Sequence, residues 1–337
     1  MTLYCGIDLH SNNSVVAVMD EQDRMVYERR LPNDLETIIE ALAVYQPELA
    51  ACVMESTYNW YWLVDGLMDA GFPVHLAHTS ALPEYSGLKY SNDFSDARQL
   101  AHLLRLGLLP TGYIYPREER ALRDLLRRRL LLVRQRALHH VSLQSLIARH
   151  SGQQLNTLQI KQLSKGQLAD YLQGHALLGG EITHQARCWL ERAVRKIEQE
   201  LQRHITPRED YQLLQTISGV GSVLGTTIAL ETGTIERFAS PGNYASYARC
   251  VKSEKISNKK LKGRGNKKNG NKYLAWAFME AGHYGAIWDP RIKRYYQRKK
   301  AKAHILVAKK AVANKLARAC YHMLKRGEAF DVTRAFS

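Results

Sequence analysis

Four carboxylates in this chain are spaced so that one metal site could gather them. Asp8 lies inside the first apolar stretch, Glu55 ends a later apolar stretch, and Asp93 and Asp96 are three positions apart. An i, i+3 pair lies on one face of a helix, so the last two carboxylates point the same way. Oxygen atoms are the ligands that Mg²⁺ prefers. Two Mg²⁺ ions about 3.5–4 Å apart can activate an attacking oxygen and stabilise a leaving one, which is the chemistry this spacing predicts.

Each carboxylate also has an ordinary structural explanation. Asp8 could cap the turn at a strand end, and Glu55 could belong to the cap region that continues with Ser56 and Thr57. Asp93 and Asp96 could be a helix N-cap and a first-turn residue, positions where carboxylates are common. The spacing of all four together favours the metal site.

The elements that must position these residues follow from the hydrophobic pattern. Alternating and short apolar stretches predict strands at residues 3–9, 14–19, 25–31, 51–54 and 74–77. Helical spacing predicts helices at 35–45 and 58–70 and a third that begins near Asp93. Three strands followed by alternating helix and strand is the order of a ribonuclease-H-like mixed sheet. The predicted fold class is therefore α/β for this part, followed by a mainly helical remainder.

The charge is divided unevenly along the 337 residues, whose net charge is +16. Residues 1–115 hold 6 Lys/Arg and 15 Asp/Glu, a balance of −9, whereas residues 116–337 hold 42 and 17, a balance of +25. A strongly basic segment favours a polyanionic partner, most simply nucleic acid. No uncharged run is long enough to span a bilayer, and five scattered cysteines show no zinc spacing, so we expect a cytoplasmic protein without a membrane partner.

Two long helices are predicted in the middle of the chain. Residues 117–149 lack Gly and Pro and carry apolar residues at spacings of 4 and 3, a pattern that recurs at residues 186–205. Such helices pair with each other or with another subunit as a coiled coil. The first helix is unusually basic, and we expect three of its side chains to contact phosphates: Arg120, Arg123 and Arg127.

The last third combines a glycine turn with the most basic stretch of the chain. Residues 216–221, between two apolar segments, have the pattern of a helix-hairpin-helix that brings backbone N–H groups to a DNA phosphate, or of a plain turn between core helices. Residues 252–272 hold nine Lys/Arg and predict a glycine-rich loop around phosphates. The candidate contacts there are Lys259, Lys260, Lys262, Arg264, Lys267, Lys268 and Lys272.

The acidic motifs resemble those of a known family. Gly6-Ile7-Asp8-Leu9-His10, Met54-Glu55-Ser56-Thr57 and Asn92-Asp93-Phe94-Ser95-Asp96-Ala97 look like the D, E, D and D motifs of the DEDD transposases of insertion sequences. The resemblance implies a RuvC-like amino-terminal domain in which Asp8, Glu55, Asp93 and Asp96 hold the metal. It also implies a bacterial or archaeal, nucleoid-associated enzyme that acts on donor and target DNA.

The carboxyl-terminal third resembles the transposase domain of the same family. Phe238-Ala239-Ser240, Tyr247-Ala248 and Lys268-Asn269-Gly270-Asn271-Lys272-Tyr273-Leu274 match its pattern of a serine, a basic glycine-containing stretch and K-x-G-N-x-x-L. In this alignment Ser257 falls on the nucleophilic serine, with Ser253 as a competitor. The chain departs from the family at Ala248-Arg249-Cys250, where A-G-L is common, and at Ser257-Asn258, where Ser-Gly is common.

These expectations define three domains and one main function. The predicted domains are a RuvC-like domain at 1–115, an oligomerisation region of long helices at 116–206 and a transposase domain at 207–337. We expect Ser257 to form a covalent link to DNA with Mg²⁺ assistance. The resemblance further implies a bridge RNA that pairs with both DNAs, and a homo-oligomer, dimer or tetramer. The alternatives are a metal-dependent nuclease like the Holliday-junction resolvases and a non-catalytic nucleic-acid-binding protein.

Overall fold

The computed structural model describes residues 1–78, 92–252, 254–257, 260–264 and 269–337, with the backbone alone for 254–257, 261 and 264. Ser253, Lys259, Lys267 and Lys268 lie outside the described residues. The chain divides into two compact units, Met1–Arg117 and Glu118–Ser337. Among the helices of the described ranges, none has the length and apolar character needed to cross a membrane.

The first unit is built on a six-stranded mixed sheet. Its strands are β1 (Leu3–Leu9), β2 (Asn13–Met19), β3 (Met25–Pro32), β4 (Leu49–Glu55), β5 (Val74–Ala77) and β6 (Thr111–Gly112). Their order across the sheet is β3-β2-β1-β4-β5-β6, in which β4 and β5 run parallel to β1 and the other neighbours are antiparallel. This order confirms the predicted mixed α/β class and fits a RuvC-like domain.

Helices cover both faces of this sheet. They are α1 (Leu35–Ala43), α2 (Tyr61–Asp69) and α3 (Asp93–Arg105). Side chains of β1 at positions 3, 5, 7 and 9 share a core with α1 and α2. The intervening positions face α3, because successive strand residues point to opposite faces. Asp8 therefore lies on the α3 face.

Three helix boundaries of the first unit differ from the prediction. Helix α1 ends at Ala43 rather than at Tyr45, and α2 begins at Tyr61 rather than at Tyr58 and ends at Asp69, one residue early. The later start has a local cause, since the Asn59 side chain donates a 2.9 Å hydrogen bond to the carbonyl of His10. This bond holds the segment after Glu55 against the end of β1.

The second unit is mainly helical. Its helices are α4 (Arg117–Ser151, which starts at the last residue of the first unit), α5 (Thr157–Gln162), α6 (Gly174–Ile205), α7 (Glu209–Gln215), α8 (Ser222–Thr232), α9 (Pro241–Tyr247), α10 (Lys272–Trp288), α11 (Pro290–Lys300), α12 (Ile305–Arg326) and α13 (Val332–Ala335). One core joins the carboxyl-terminal helices to Leu126 of α4 and Leu201 of α6. The ends of the two long helices are thus built into the carboxyl-terminal core.

The two long helices run antiparallel to each other. Arg129 pairs with Glu198, and seven residues further along α4, Arg136 pairs with Glu191, seven residues earlier in α6. A separate small core closes the far end, where Leu143 and Ile147 of α4 pack with residues of α5 and the turn after it. Pairing within the chain is therefore present; a coiled coil with a second subunit stays a prediction.

The basic stretch at residues 252–272 is more ordered than predicted. Instead of a loop, it contains an antiparallel hairpin of β7 (Glu254–Ser257) and β8 (Lys260–Arg264). The sequence allows this because Ile256 and Leu261 stand opposite each other between polar neighbours, an alternation typical of strands. Ser257 pairs with Lys260 in the backbone register, which places the serine next to the turn.

Candidate metal centre

Asp8 is placed at the centre of the candidate site by the close approach of α3 to β1. A Cβ atom at Gly6 would lie 2.1 Å from the carbonyl oxygen of Ala97, so only glycine permits this packing. The amino-terminal turn of α3 is therefore brought over the end of β1. Asp8 itself is buried, with 8% of its surface exposed.

Asp93 and Asp96 lie in the first turn of α3, but neither caps the helix. The N-cap is Asn92, whose side chain accepts from the Ser95 N–H at 2.8 Å, while the Ser95 hydroxyl accepts from the Asn92 N–H at 2.8 Å. This capping box satisfies the helix end without a carboxylate. Both aspartates are thus available for another partner at the positive end of the helix dipole.

Asp8, His10 and Asp93 form the cluster at which a cation could bind. One ligand atom from each lies within 4.8 Å of the other two. His10 Nε2 is 3.1 Å from Asp8 Oδ2 and 3.3 Å from Asp93 Oδ1. The sequence interpretation quoted His10 in the first acidic motif but did not assign it to the site, although its position two residues after Asp8 was a usable signal.

Arg30 was also overlooked, and it holds the outer carboxylate. Its Nη2 donates to Asp93 Oδ2 at 2.6 Å. The register explains how it arrives there, since Asp8 stands opposite Val15 on β2 and Val15 stands opposite Arg30 on β3. Residues in this line share one face of the sheet.

The pKa values of Asp8 and Asp96 are raised above the ordinary aspartate value, whereas that of Asp93 is lowered. Burial raises the pKa of Asp8, and the neighbouring charges of Asp96 and Asp93 raise it further, against the lowering effects of His10 and Arg30. Burial and the charge of Asp93 likewise raise the pKa of Asp96. The hydrogen bond from Arg30 lowers the pKa of Asp93. Negative charge at the inner end of the cluster is therefore incompletely compensated.

Two buried atoms of the cluster bear on whether a cation fits this site, because neither makes a hydrogen bond to a described residue. Among the described residues, Asp8 Oδ2 and His10 Nε2 are buried polar atoms without a hydrogen-bond partner, although they lie near each other. Buried polar groups are almost always paired, so two buried ligand atoms of this kind fit a bound cation. Carboxylate oxygens and an imidazole nitrogen are suitable ligands for a divalent cation.

The four predicted carboxylates differ in how closely the structure places them to the end of β1. Asp8 and Asp93 share the cluster, and Asp96 is near enough for its charge to raise the pKa of Asp8. Glu55 ends β4, which runs parallel to β1 with Met54 beside Ile7. It is half-buried at the strand end next to that of Asp8.

The predicted phosphate contacts fall into two groups in the second unit. Lys260, Lys262 and Lys272 are exposed. Arg120 and Arg123, by contrast, are only 4% and 6% exposed, a placement that suits structural contacts better than phosphates. Arg264 ends β8, where its backbone pairs with Glu254.

Arg127 also has a structural partner, because it faces the buried Glu231. Arg127 Nε and Nη2 donate to the two carboxylate oxygens of Glu231 at 2.6 and 2.7 Å, and the guanidinium stacks 4.7 Å from the Tyr273 ring centre. Asn271 donates to the same carboxylate at 2.8 Å and caps α10. Glu231 thus links α4, α8 and the start of α10.

The base of the segment that carries the hairpin is closed by one backbone hydrogen bond and one from the Arg249 side chain. The Asn271 N–H donates to the Tyr247 carbonyl at 2.6 Å, and Arg249 Nε donates to the Gly270 carbonyl at 2.9 Å. Gly270 has φ +84°, and a Cβ there would lie 2.5 Å from the Tyr247 oxygen. The Gly270-Asn271 pair of the basic motif therefore has a structural role that fixes both ends of residues 248–270.

The glycine turn before α8 is packed into the helical core. Gly219 has φ +93°, and a Cβ there would lie 2.3 Å from the Gly285 nitrogen of α10. The turn joins α7 to α8 as the helix-hairpin-helix pattern predicts, and its close contact with α10 accounts for the glycine without DNA. Contact of this turn with a phosphate stays a prediction.

Comparisons with known proteins match both units. Residues 5–151 match the IS110-type DEDD family, described as "Transposase", and residues 211–297 match the "Transposase IS116/IS110/IS902 family". A protein of Sinorhizobium fredii named "Putative transposase y4qE" is 25% identical over 239 residues, 70% of this chain and 57% of the relative. The "Transposase for insertion sequence element IS1328" of Yersinia enterocolitica is 26% identical over 155 residues, 44% of this chain and 46% of the relative.

The chain thus spans about half the length of these curated relatives. The two family matches cover separate segments in the expected order, the first containing all four carboxylates and the second containing Ser257 and the basic motif. The chain therefore belongs to the IS110 family of DEDD transposases of insertion sequences.

Proposed function

We propose that the chain is a DNA transposase that cuts and rejoins strands with the help of divalent metal. The observation that carries the proposal is the cluster of Asp8, His10 and Asp93 at the end of the two central parallel strands, where two buried ligand atoms make no hydrogen bond to a described residue. The basic second unit supports a nucleic-acid substrate. Membership of a transposase family supports the reaction class.

Asp8, Glu55, Asp93 and Asp96 are the proposed ligands of two Mg²⁺ ions. When bound, Mg²⁺ would polarise a phosphate oxygen and offset the charge that develops in phosphoryl transfer. The chain's own contribution is to hold the carboxylates in place before DNA arrives. Gly6 sets the distance between β1 and α3, and the capping box of Asn92 and Ser95 fixes the first turn of α3.

Ser257 is the proposed nucleophile. Its Oγ attacks the scissile phosphorus and the Oγ–P bond forms, while the bond from phosphorus to the leaving strand oxygen breaks. The hydroxyl proton passes to solvent, and the leaving oxygen takes up a proton. Attack by a new strand hydroxyl on the phosphoserine then reverses these bond changes and rejoins the DNA. Exposed Lys260 and Lys262 on β8 support this role by supplying positive charge beside the hairpin turn.

Covalent trapping tests the nucleophile. Labelled DNA that carries the element's ends is incubated with protein and Mg²⁺, denatured and resolved by electrophoresis. We expect an adduct with the wild type and with Ser253→Ala, and none with Ser257→Ala. Strand cleavage that survives Ser257→Ala would instead support a resolvase-like nuclease in which water attacks. Absence of metal-dependent cleavage in all three proteins would support a non-catalytic binding protein.

A bridge RNA and a homo-oligomer are further parts of the proposal. A balance of +25 over residues 116–337 supports binding of more phosphate than a short DNA site offers. The test is to co-express the chain with the non-coding flank of its element and sequence the RNA that copurifies. RNA from that flank, with loss of recombination when it is deleted, would support the guide; recombination without RNA would contradict it.

A further inference from the structure

We propose that His10 is a ligand of the cation at the cluster of Asp8 and Asp93, coordinating through Nε2. This inference rests on the proposed metal-dependent function and deepens it, because it adds a nitrogen ligand to a site otherwise assigned to four carboxylates. Its consequence is a changed preference among divalent metals.

The position of the imidazole carries the first step. His10 Nε2 points between two carboxylates, 3.1 Å from Asp8 Oδ2 and 3.3 Å from Asp93 Oδ1. The ring as a whole is 38% exposed, yet this nitrogen is buried and makes no hydrogen bond within the described part of the chain. A nitrogen that is turned inward among carboxylates without a hydrogen bond has the placement of a metal ligand.

The backbone of His10 is held in place on three sides. Its carbonyl accepts hydrogen bonds from Asn33 and Asn59, each at 2.9 Å, and its N–H donates to the Asn13 carbonyl at 2.9 Å. These bonds fix the turn between β1 and β2. An imidazole on a fixed backbone loses little conformational freedom when it binds a metal, which favours ligation.

Charge balance argues against a merely neutralising role for His10. Asp93 already has a close cationic partner, since Arg30 donates to it at 2.6 Å. Asp8 is the buried carboxylate, and its Oδ2 makes no hydrogen bond to a described residue. A cation coordinated by His10 and Asp8 would lie at this buried oxygen.

The ligand set predicts metal preference. Mg²⁺ favours oxygen ligands and retains its water, whereas first-row transition metals bind imidazole nitrogen more readily. Zn²⁺ suits imidazole best, and Mn²⁺, which also suits carboxylates, stands at the weak end of that series. We expect the wild type to bind Mn²⁺ more tightly than Mg²⁺. Loss of the imidazole should weaken Mn²⁺ binding at least about tenfold, the scale seen when outer-shell partners alone are removed. Mg²⁺ binding should change much less.

Electron paramagnetic resonance of bound Mn²⁺ tests the ligand directly. The full chain is produced with ¹⁴N- and with ¹⁵N-labelled histidine, loaded with Mn²⁺, and examined by electron spin echo envelope modulation. We expect nitrogen coupling in the wild type that follows the isotope. The coupling should disappear in His10→Gln while Mn²⁺ remains bound, and Mn²⁺ affinity should fall as stated.

His102→Gln is the matched control. His102 is 37% exposed, lies on α3 and has Nδ1 2.8 Å from Asp23 Oδ1, so it too is a histidine paired with a carboxylate in the first unit. This variant should keep both the coupling and the Mn²⁺ affinity of the wild type. A His10→Asn variant, with an oxygen available near the same place, should bind Mn²⁺ without nitrogen coupling.

The outcomes separate this inference from the proposed function. Bound Mn²⁺ without nitrogen coupling in the wild type would overturn the assignment of His10 and leave the carboxylate site intact. Coupling that persists in His10→Gln would overturn it as well, because another histidine would be the ligand. Failure of the wild type to bind either Mn²⁺ or Mg²⁺ would overturn the metal-dependent function and this inference together.

Discussion

Arg127 and Glu231 form a two-pronged ion pair inside the second unit, with a carboxylate that is 0% exposed. The sequence interpretation assigned Arg127 to phosphate, but this geometry assigns it to the fold. A buried carboxylate needs such a partner, since an unpaired buried charge is expensive.

Replacement of Arg127 should therefore destabilise the protein before it affects DNA. Arg127→Ala removes both guanidinium hydrogen bonds from the buried Glu231 carboxylate, and we expect the free energy of unfolding to fall by about 3 kcal/mol. Urea unfolding of the full chain measures this change. Arg128→Ala, at an exposed neighbouring position, should stay within about 0.5 kcal/mol of the wild type. Equal stability of the two variants would contradict a structural role for Arg127.

Gly6→Ala should damage both the stability and the metal site of the first unit. The added methyl group meets the Ala97 carbonyl, so α3 must move away from β1 at a cost of about 1–3 kcal/mol. Asp93 then moves away from Asp8, and the increase in melting temperature on adding Mn²⁺ should shrink. Calorimetry with and without Mn²⁺ measures both effects. Gly112→Ala, whose Cβ would have neighbours at 3.6 Å, should behave like the wild type.

The pH dependence of the free energy of unfolding should show that burial of the charged Asp8 carboxylate is unfavourable. Burial raises its pKa above the ordinary value of 3.8, so the folded state binds this proton more tightly than the unfolded state. Stability from this group is then present below pH 3.8 and is lost as pH rises through the folded pKa. In EDTA at pH 7, Asp8→Asn should raise the free energy of unfolding by about 0.5–2 kcal/mol, a gain that disappears near pH 3.8.

Asp34 provides a comparison of opposite sign. Its carboxylate caps α1 by accepting from Thr37, and these hydrogen bonds lower its pKa. Asp34→Ala should lower stability at pH 7, and the loss should disappear as pH falls below the folded pKa. Melting curves across pH for both variants test the two directions. Parallel profiles would show that the two carboxylates have similar environments, contrary to the structure.

The two long helices expose an apolar surface that predicts self-association. Its members are Leu131, Leu138, Val141, Leu178, Ile182 and Trp189. Apolar residues at this spacing are typical of helices that pack against another subunit. We expect light scattering to show an oligomer for the wild type and a monomer, or at least a much weaker oligomer, for Leu138→Glu combined with Trp189→Glu. The exposed Gln135→Glu should leave the mass unchanged, and an unchanged mass for the double variant would exclude this surface.

The exposed lysines of the hairpin should contribute to DNA affinity through charge alone. The logarithm of the DNA association constant falls as the logarithm of salt concentration rises, and each phosphate contact that is lost makes this slope less steep by about 0.9 for duplex DNA. Lys260→Ala combined with Lys262→Ala should therefore make the slope less steep by nearly 2 and weaken binding at low salt. Lys325→Ala is the control, because Lys325 is already paired with Glu236. Fluorescence anisotropy titrations at several salt concentrations give the slopes, and equal slopes would remove the hairpin from the interface.

The sequence predicted those parts of the fold that depend on local pattern. Strand β1 and strand β5 have the predicted bounds, because their apolar residues are flanked by clear turn residues. The start of α3 followed from two acidic residues before an apolar helix. The hairpin of β7 and β8 was missed because abundant lysine and glycine obscured its short alternation.

The candidate site was predicted only in part, for a physical reason. Asp8 and Asp93 could be proposed from spacing, but the role of Arg30 depends on the registers of two strand pairs, which the local pattern does not define. Arg120 and Arg123 were assigned to phosphate from the charge of their helix. Their burial depends on packing across the helical core, and charge composition carries no information about that packing.

The hydrogen bonds that fix the turn at position 10 end on a main-chain oxygen rather than on the imidazole. Every amino acid has a backbone carbonyl oxygen, so a substitution at position 10 keeps the acceptor of these two hydrogen bonds. A substitution at position 10 would therefore change the side chain beside Asp8 and Asp93 while the hydrogen bonds from Asn33 and Asn59 stay in place.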